Sequence, residues 1–182
     1  LSHLRWNFVY QRPQHLMTRF ADERRVYFIE EPVDGDGPAS LETRDDPSGV
    51  RVVTPRLPRD RDRDGDDDAQ RALLDALFAR EEITRYSLWY YIPMALPFTR
   101  HLAPRAVAYD CMDELSAFAG APPSLLALES ELLARADVVF TGGRSLYEAK
   151  RSRHPSVHAF PSSVDVSHFA RALEVAEEPA DQ

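Results

Sequence analysis

Asp137-Val138-Val139-Phe140-Thr141-Gly142-Gly143-Arg144 is the stretch that decides the fold. Four apolar or β-branched residues in a row suit a strand covered on both faces. Two glycines then turn the chain, and helical spacing follows from Arg144 to about residue 153. The same strand–turn–helix phrase recurs along the chain. Arg25-Val26-Tyr27-Phe28-Ile29-Glu30 reads as a strand ending at Glu30-Glu31-Pro32, and Val50-Arg51-Val52-Val53-Thr54 as another, ended by Pro55. Ser87-Leu88-Trp89-Tyr90-Tyr91-Ile92, Ala106-Val107-Ala108-Tyr109 and Val157-His158-Ala159-Phe160 read likewise. Between them lie helical patterns: one opening at Pro13 with Leu16, Met17 and Phe20 on one side, one marked by Ala72, Leu73, Leu77 and Phe78, a short one after Pro93, and one marked by Leu125, Leu128, Leu132 and Leu133. Alternating strands and helices imply an α/β fold, a Rossmann-like doubly wound parallel sheet with helices on both faces.

The bulk composition narrows the function. The chain has 182 residues, 43% hydrophobic and 29% charged, enough for one domain with a real core. A net charge of -8 argues against nucleic acid as a partner and against a polybasic membrane patch. Lys150 is the only lysine, so Arg supplies nearly all the positive charge. The single cysteine, Cys111, excludes a disulfide within the chain, fits a reducing compartment, and reads as inert because no His base stands beside it. The longest apolar run, Trp89 to Phe98, is about half the roughly 20 residues a membrane span needs. Residues 58–68 alternate Arg and Asp and then become Asp-rich, which reads as a solvated, mobile loop.

In such sheets ligands bind outside the carboxyl ends of the strands. The opening loop, residues 1–15, is rich in chemistry, with His3, Arg5, Trp6, Arg12, Gln14 and His15. Trp6 offers an apolar face to a sugar ring, and His3 and Arg5 offer donors to hydroxyls or a phosphate; alternatively Trp6 and Phe8 pack the loop onto the sheet. Arg12, Gln14 and His15 open a helix whose free N–H groups favour an anion, or His15 is a buried, hydrogen-bonded histidine. Glu30 and Glu31 end a strand where a Rossmann domain holds a ribose, but no glycine fingerprint precedes them. Tyr109, Asp110 and Asp113 sit at another strand end, where two carboxylates orient hydroxyls, act as a base, or cap the next helix. Gly142 and Gly143 allow close backbone approach by a phosphate, though turn geometry alone explains them. Ser162 and Ser163 lie in Pro161-Ser162-Ser163-Val164-Asp165. Trp89, Tyr90 and Tyr91 read as core, and no set of ligands has metal spacing.

On six pieces the chain resembles the N-terminal domain of GT-B glycosyltransferases of the group-one, retaining class. They are Ser2 to Trp6, Gln11 to Leu16, Glu30-Glu31-Pro32, Tyr109 to Asp113, Thr141 to Leu146 and Pro161 to Asp165. The opening segment is most similar to bacterial teichuronic-acid-type and other cell-surface polysaccharide transferases. The resemblance implies one half of a GT-B fold: residues 1–170 as the acceptor-side domain and 171–182 as a frayed tail leading to an interdomain linker. It implies a nucleotide-sugar donor, a glycan or lipid-linked acceptor, no cofactor, no metal, and a cytoplasmic enzyme with room for peripheral association at the inner membrane face. It also implies that a C-terminal domain carries the main catalytic groups, leaving Asp110 as the one catalytic candidate here and this fragment alone inactive. His3, Arg5, Trp6, Arg12, Gln14, His15, Glu30, Tyr109, Asp110 and Asp113 would face the acceptor; Gly142, Gly143, Ser162 and Ser163 would face the donor. Two departures stand out: Tyr109 where relatives often carry His, and Ser162-Ser163 in place of Asn-Gly. The opening, without Met and without a first strand, reads as cut from something longer. Two rival readings are a stand-alone Rossmann-like sugar- or anion-binding or partner-docking module, and a nucleotide-dependent epimerase. The missing glycine fingerprint and missing Tyr-x-x-x-Lys pair count against the second.

Overall fold

The computed structural model describes residues 1–59, 63–161 and 163–173. The strands are β1 (Val26–Ile29), β2 (Val33–Gly35), β3 (Ser40–Asp45), β4 (Val50–Pro58), β5 (Leu88–Tyr90), β6 (Val107–Cys111), β7 (Val138–Thr141) and β8 (Val157–Ala159). The helices are α1 (Arg12–Ala21), α2 (Arg63–Arg80), α3 (Leu96–Thr99), α4 (Ser124–Arg135), α5 (Arg144–Lys150) and α6 (Val166–Ala170).

Two four-stranded sheets form. In the first, β4 is central, parallel to β1 and β2 and antiparallel to β3. In the second, β5-β6-β7-β8 run parallel throughout. Leu1 and Ser2 join them: the Ser2 amide donates to the carbonyl of Ile29, the last residue of β1, and the Tyr91 amide just beyond β5 donates to the Leu1 carbonyl, both at 3.0 Å. The result is a Rossmann-like α/β fold whose parallel strands end at one common edge.

Both faces are covered, as strands apolar on both sides require. One core gathers Ile29, Val53, Leu74, Leu77, Tyr90, Leu96, Tyr109, Leu132 and Val139 under α2, α3 and α4. The other gathers Trp6, Met17, Phe28, Val50, Val52 and Tyr91 under α1. α1 opens with Pro13 in its first turn, where a missing N–H costs nothing, and the Gln11 amide donates to Gln14 Oε1 at 3.0 Å.

Three sequence expectations are corrected. Pro55 does not end its strand: β4 continues to Pro58, because Pro55 falls between its last partner on β1, Val53, and its first on β2, Arg56. A proline there forfeits no ladder bond to either strand. The Arg-Asp run is helical from Arg63 onward, within α2. Acidic residues concentrated in the first turns of a helix offset its positive end, so the charge run favours helix initiation there. Residues 60–62 lie outside the described residues. β2 and β3 were also not expected. β3 is exposed at all but one of its residues and carries no apolar alternation to announce it. Beyond α6 a 3-10 turn spans Arg171–Leu173, and the tail expected over 174–182 lies outside the described residues. Among the described residues no helix is long and apolar enough to cross a membrane.

Candidate functional site at the carboxyl edge

The centre of the carboxyl edge is an ion pair between the first residue of α1 and the end of β6. Arg12 Nε donates to both Asp110 oxygens, at 3.0 and 2.9 Å. Arg12 Nη1 donates to the Phe160 carbonyl just past β8. Asp110 is fully buried and Arg12 is partly buried. Burial pushes the Asp110 carboxyl above the usual range, while Arg12 pulls it back. Tyr91, just beyond β5, feels the pair: burial and then the Asp110 charge raise its phenol. A carboxylate held by a guanidinium inside the sheet edge is a clamp rather than a free base. Its consequence is to fix Arg12, α1 and the segment after β8 relative to one another.

The opening loop is tied down by its own polar side chains. Glu30 accepts from Arg5 Nη1 at 3.1 Å, from the Trp6 amide at 2.7 Å and from Thr54 Oγ1 at 2.8 Å. Arg5 Nη1 also reaches the Glu31 carbonyl at 2.7 Å. Gln14 is buried and donates through Nε2 to the Trp6 carbonyl at 3.0 Å. Trp6 is 6% exposed and packs on Phe28 with ring centroids 4.9 Å apart. Four expected ligand residues are therefore corrected. Trp6 is core, and Gln14, Arg5 and Glu30 staple the loop through their hydrogen bonds to protein groups. What the loop exposes is Phe8, Val9 and Tyr10, each more than half exposed. Three consecutive large residues in a loop are a signal that sequence reading passed over. His3 is half-buried, and its Nδ1 is buried without a hydrogen-bond partner among the described residues.

Tyr109 is corrected too. It is buried on the α4 side, with its hydroxyl donating to Glu129 Oε1 at 3.2 Å. Glu129 also receives Lys150 Nζ at 2.9 Å and Arg153 at 2.8 Å, and Lys150 Nζ reaches Glu114 at 2.9 Å. This network, centred on the chain's only lysine, locks α4 to α5 and was not foreseen. Burial raises the Cys111 thiol to about 11, in keeping with an inert cysteine. Asp113 is exposed in the loop beyond β6.

Gly142 is needed for space. A Cβ there would meet the Met112 carbonyl oxygen at 3.3 Å. Gly143 faces no atom within 4 Å, so it is a turn residue without a packing demand. Ser163 is exposed, and Ser162 lies outside the described residues.

A polar hollow of about 360 Å³ opens beside α1, lined by Tyr10, His15, Thr18, Arg19, Asp22, Ser48 and Asp165. Tyr10 and His15 meet edge to face at 4.5 Å. Asp165 caps α6, accepting from the His168 amide at 3.1 Å, and its hydrogen bonds with Ser167 and His168 hold its carboxyl below the usual range. The fold thus brings His15, from the first turn of α1, to Asp165, from the segment after β8. It offers a ring, two cationic or titratable groups, hydroxyls and two carboxylates around one solvent-open space, the donor set a polyhydroxylated ligand needs. Among the described residues no cluster of His, Cys, Asp and Glu could hold a metal ion.

No protein-family model matches the chain, and no curated protein matches it in sequence. Among solved structures it is similar to sucrose-phosphate synthase from Thermosynechococcus elongatus, with a TM-score of 0.60 and 14% identity. The likeness covers 88% of this chain and 45% of that one, so the chain spans less than half the length of that protein. At this identity the likeness establishes the fold.

Proposed function

We propose that this chain is the acceptor-side half of a GT-B glycosyltransferase, one that moves a sugar from a nucleotide-sugar donor to a glycan or lipid-linked acceptor in cell-surface polysaccharide synthesis. The observation that carries the reading is that a parallel α/β fold similar to part of sucrose-phosphate synthase carries a polar hollow beside α1. Within it the acceptor would sit in the hollow beside α1, with Tyr10 against a sugar face and His15, Arg19 and Asp165 on hydroxyls. Arg12, held by Asp110, would fix the geometry of that wall instead of touching the reacting atoms. Catalysis would rest on placing the acceptor hydroxyl and on stabilising the leaving diphosphate from the donor side, with retention of anomeric configuration and no metal.

Titration of the isotopically labelled chain with a panel of oligosaccharides tests the reading. Saturable shifts are expected at the amides of Tyr10, His15 and Arg19, with binding weakened at least about 10-fold by His15→Ala, the loss of roughly one good hydrogen bond. Shifts that map away from α1, or binding indifferent to His15→Ala, would count against it.

A further inference from the structure

On the surface of this chain arginines pair with carboxylates: Arg51 with Asp45, Arg56 with Glu42, Arg100 with Glu131 and Arg151 with Glu148. Asp22 departs from that pattern. It is exposed and lines the polar hollow beside α1, and its carboxylate has no hydrogen-bond or ion-pair partner among the described residues. Arg19 lies one turn earlier, where opposite charges on a helix usually meet. It lines the same hollow, but its Nη1 donates to the His15 carbonyl at 2.6 Å.

The position of Asp22 makes an unpaired carboxylate unfavourable. Asp22 caps the carboxyl end of α1, where the last carbonyls present partial negative charge. An anion there is repelled, and a cation is favoured. Asp165 brings a second negative charge to the hollow. Its partners are the Ser167 hydroxyl at 2.6 Å and the His168 amide at 3.1 Å, and these hydrogen bonds hold its carboxyl below the usual range. Neither partner is a cation. The lining therefore sets two carboxylates against one guanidinium, with His15 as the remaining titratable ring. A sugar hydroxyl can donate to Asp22, but it leaves the excess negative charge uncompensated. An ammonium both donates and compensates it.

We propose that the ligand of this hollow carries a free ammonium group, as an amino sugar does, and that Asp22 is the residue that selects it. The ammonium pairs with the Asp22 carboxylate at the end of α1, while Tyr10 takes an apolar face of the ring. Of the hollow's charged side chains, Asp22 is the one that hydroxyl recognition by His15, Arg19 and Asp165 leaves unused. N-acetylation of the sugar removes the charge that Asp22 recognises, and a uronic carboxylate is repelled by both acids. This selection rests on the hollow being the acceptor site and narrows the class of acceptor it takes.

Titration of the isotopically labelled chain with three trisaccharides tests it: one of glucosamine, one of N-acetylglucosamine and one of galacturonic acid. The buffer is of low ionic strength, where exposed ion pairs are least screened, and mildly acidic to keep the amines charged. Affinities are read from the amide shifts of Tyr10, His15 and Arg19. The glucosamine trimer is expected to bind about 5-fold more tightly than its N-acetylated form, the upper end for an ion pair open to solvent, and the galacturonic trimer most weakly. Asp22→Asn should reduce the preference below about 2-fold and leave the affinity for the N-acetylated trimer unchanged. Glu148→Gln, an equal change of charge on α5, should leave the preference intact. Equal affinities for the charged and acetylated trimers at these amides, tighter binding of the galacturonic trimer, or a preference that survives Asp22→Asn would overturn selection by Asp22 while leaving the hollow as an acceptor site. Shifts at these amides from none of the three would overturn both.

Discussion

Removing the Arg12 guanidinium should destabilise the fold substantially. Asp110 is fully buried, its two oxygens both satisfied by Arg12 Nε, and the Arg12 side chain is only 14% exposed. Breaking a buried pair by deleting one partner typically costs about 3–5 kcal/mol, since the survivor keeps its desolvation penalty without its counter-charge. Arg12 retains some solvent, so Arg12→Ala is expected near the lower bound, about 3 kcal/mol, in urea unfolding at neutral pH. Adding Asp110→Asn removes the stranded charge and should restore about 1–2 kcal/mol, leaving the cost of an imperfectly paired amide. The pH dependence carries a sign. The folded-state pKa of Asp110 is already raised by burial, and losing Arg12 raises it further. The stability associated with its protonated form is present at low pH and lost as pH rises through that value. The Arg12→Ala deficit should therefore shrink in acid. A deficit under about 1 kcal/mol, or a double variant no more stable than the single one, would refute the assignment of Asp110 as a clamped carboxylate.

Two further expectations follow from the same geometry. Gly142→Ala should cost about 1–2 kcal/mol by crowding the Met112 carbonyl, whereas Gly143→Ala should stay within about 0.5 kcal/mol, as thermal melts would show. Trp6→Ala should cost about 3–5 kcal/mol as a core truncation, and a loss below about 1 kcal/mol would return Trp6 to the surface of the cleft.

The parallel core was legible because burial on both faces writes itself as apolar runs: Val26 to Ile29 and Val138 to Thr141 lie where the sequence puts them, within a residue. β3, Ser-Leu-Glu-Thr-Arg-Asp, is an exposed antiparallel strand held by backbone bonds and surface ion pairs such as Arg51 with Asp45. Nothing in its composition separates it from a loop. The site was legible in position but not in role. The segments named from sequence do converge at the carboxyl edge, yet whether a polar side chain faces a ligand or another side chain depends on partners far away in the chain. Arg12 and Asp110 stand 98 positions apart, and Lys150 and Glu129 stand 21 apart. Trp6 illustrates the same limit. An aromatic residue in a loop has one composition whether it covers a sugar or Phe28.

The central claim is tested most directly by a transfer assay on the full product of the gene, supplied with a panel of nucleotide sugars and bacterial glycan or lipid-linked acceptors. The account predicts acceptor-dependent release of nucleoside diphosphate with retention of anomeric configuration. It also predicts that His15→Ala raises the acceptor KM while leaving the donor KM unchanged. Absence of transfer from every donor, or an equal effect of His15→Ala on donor and acceptor, would contradict it.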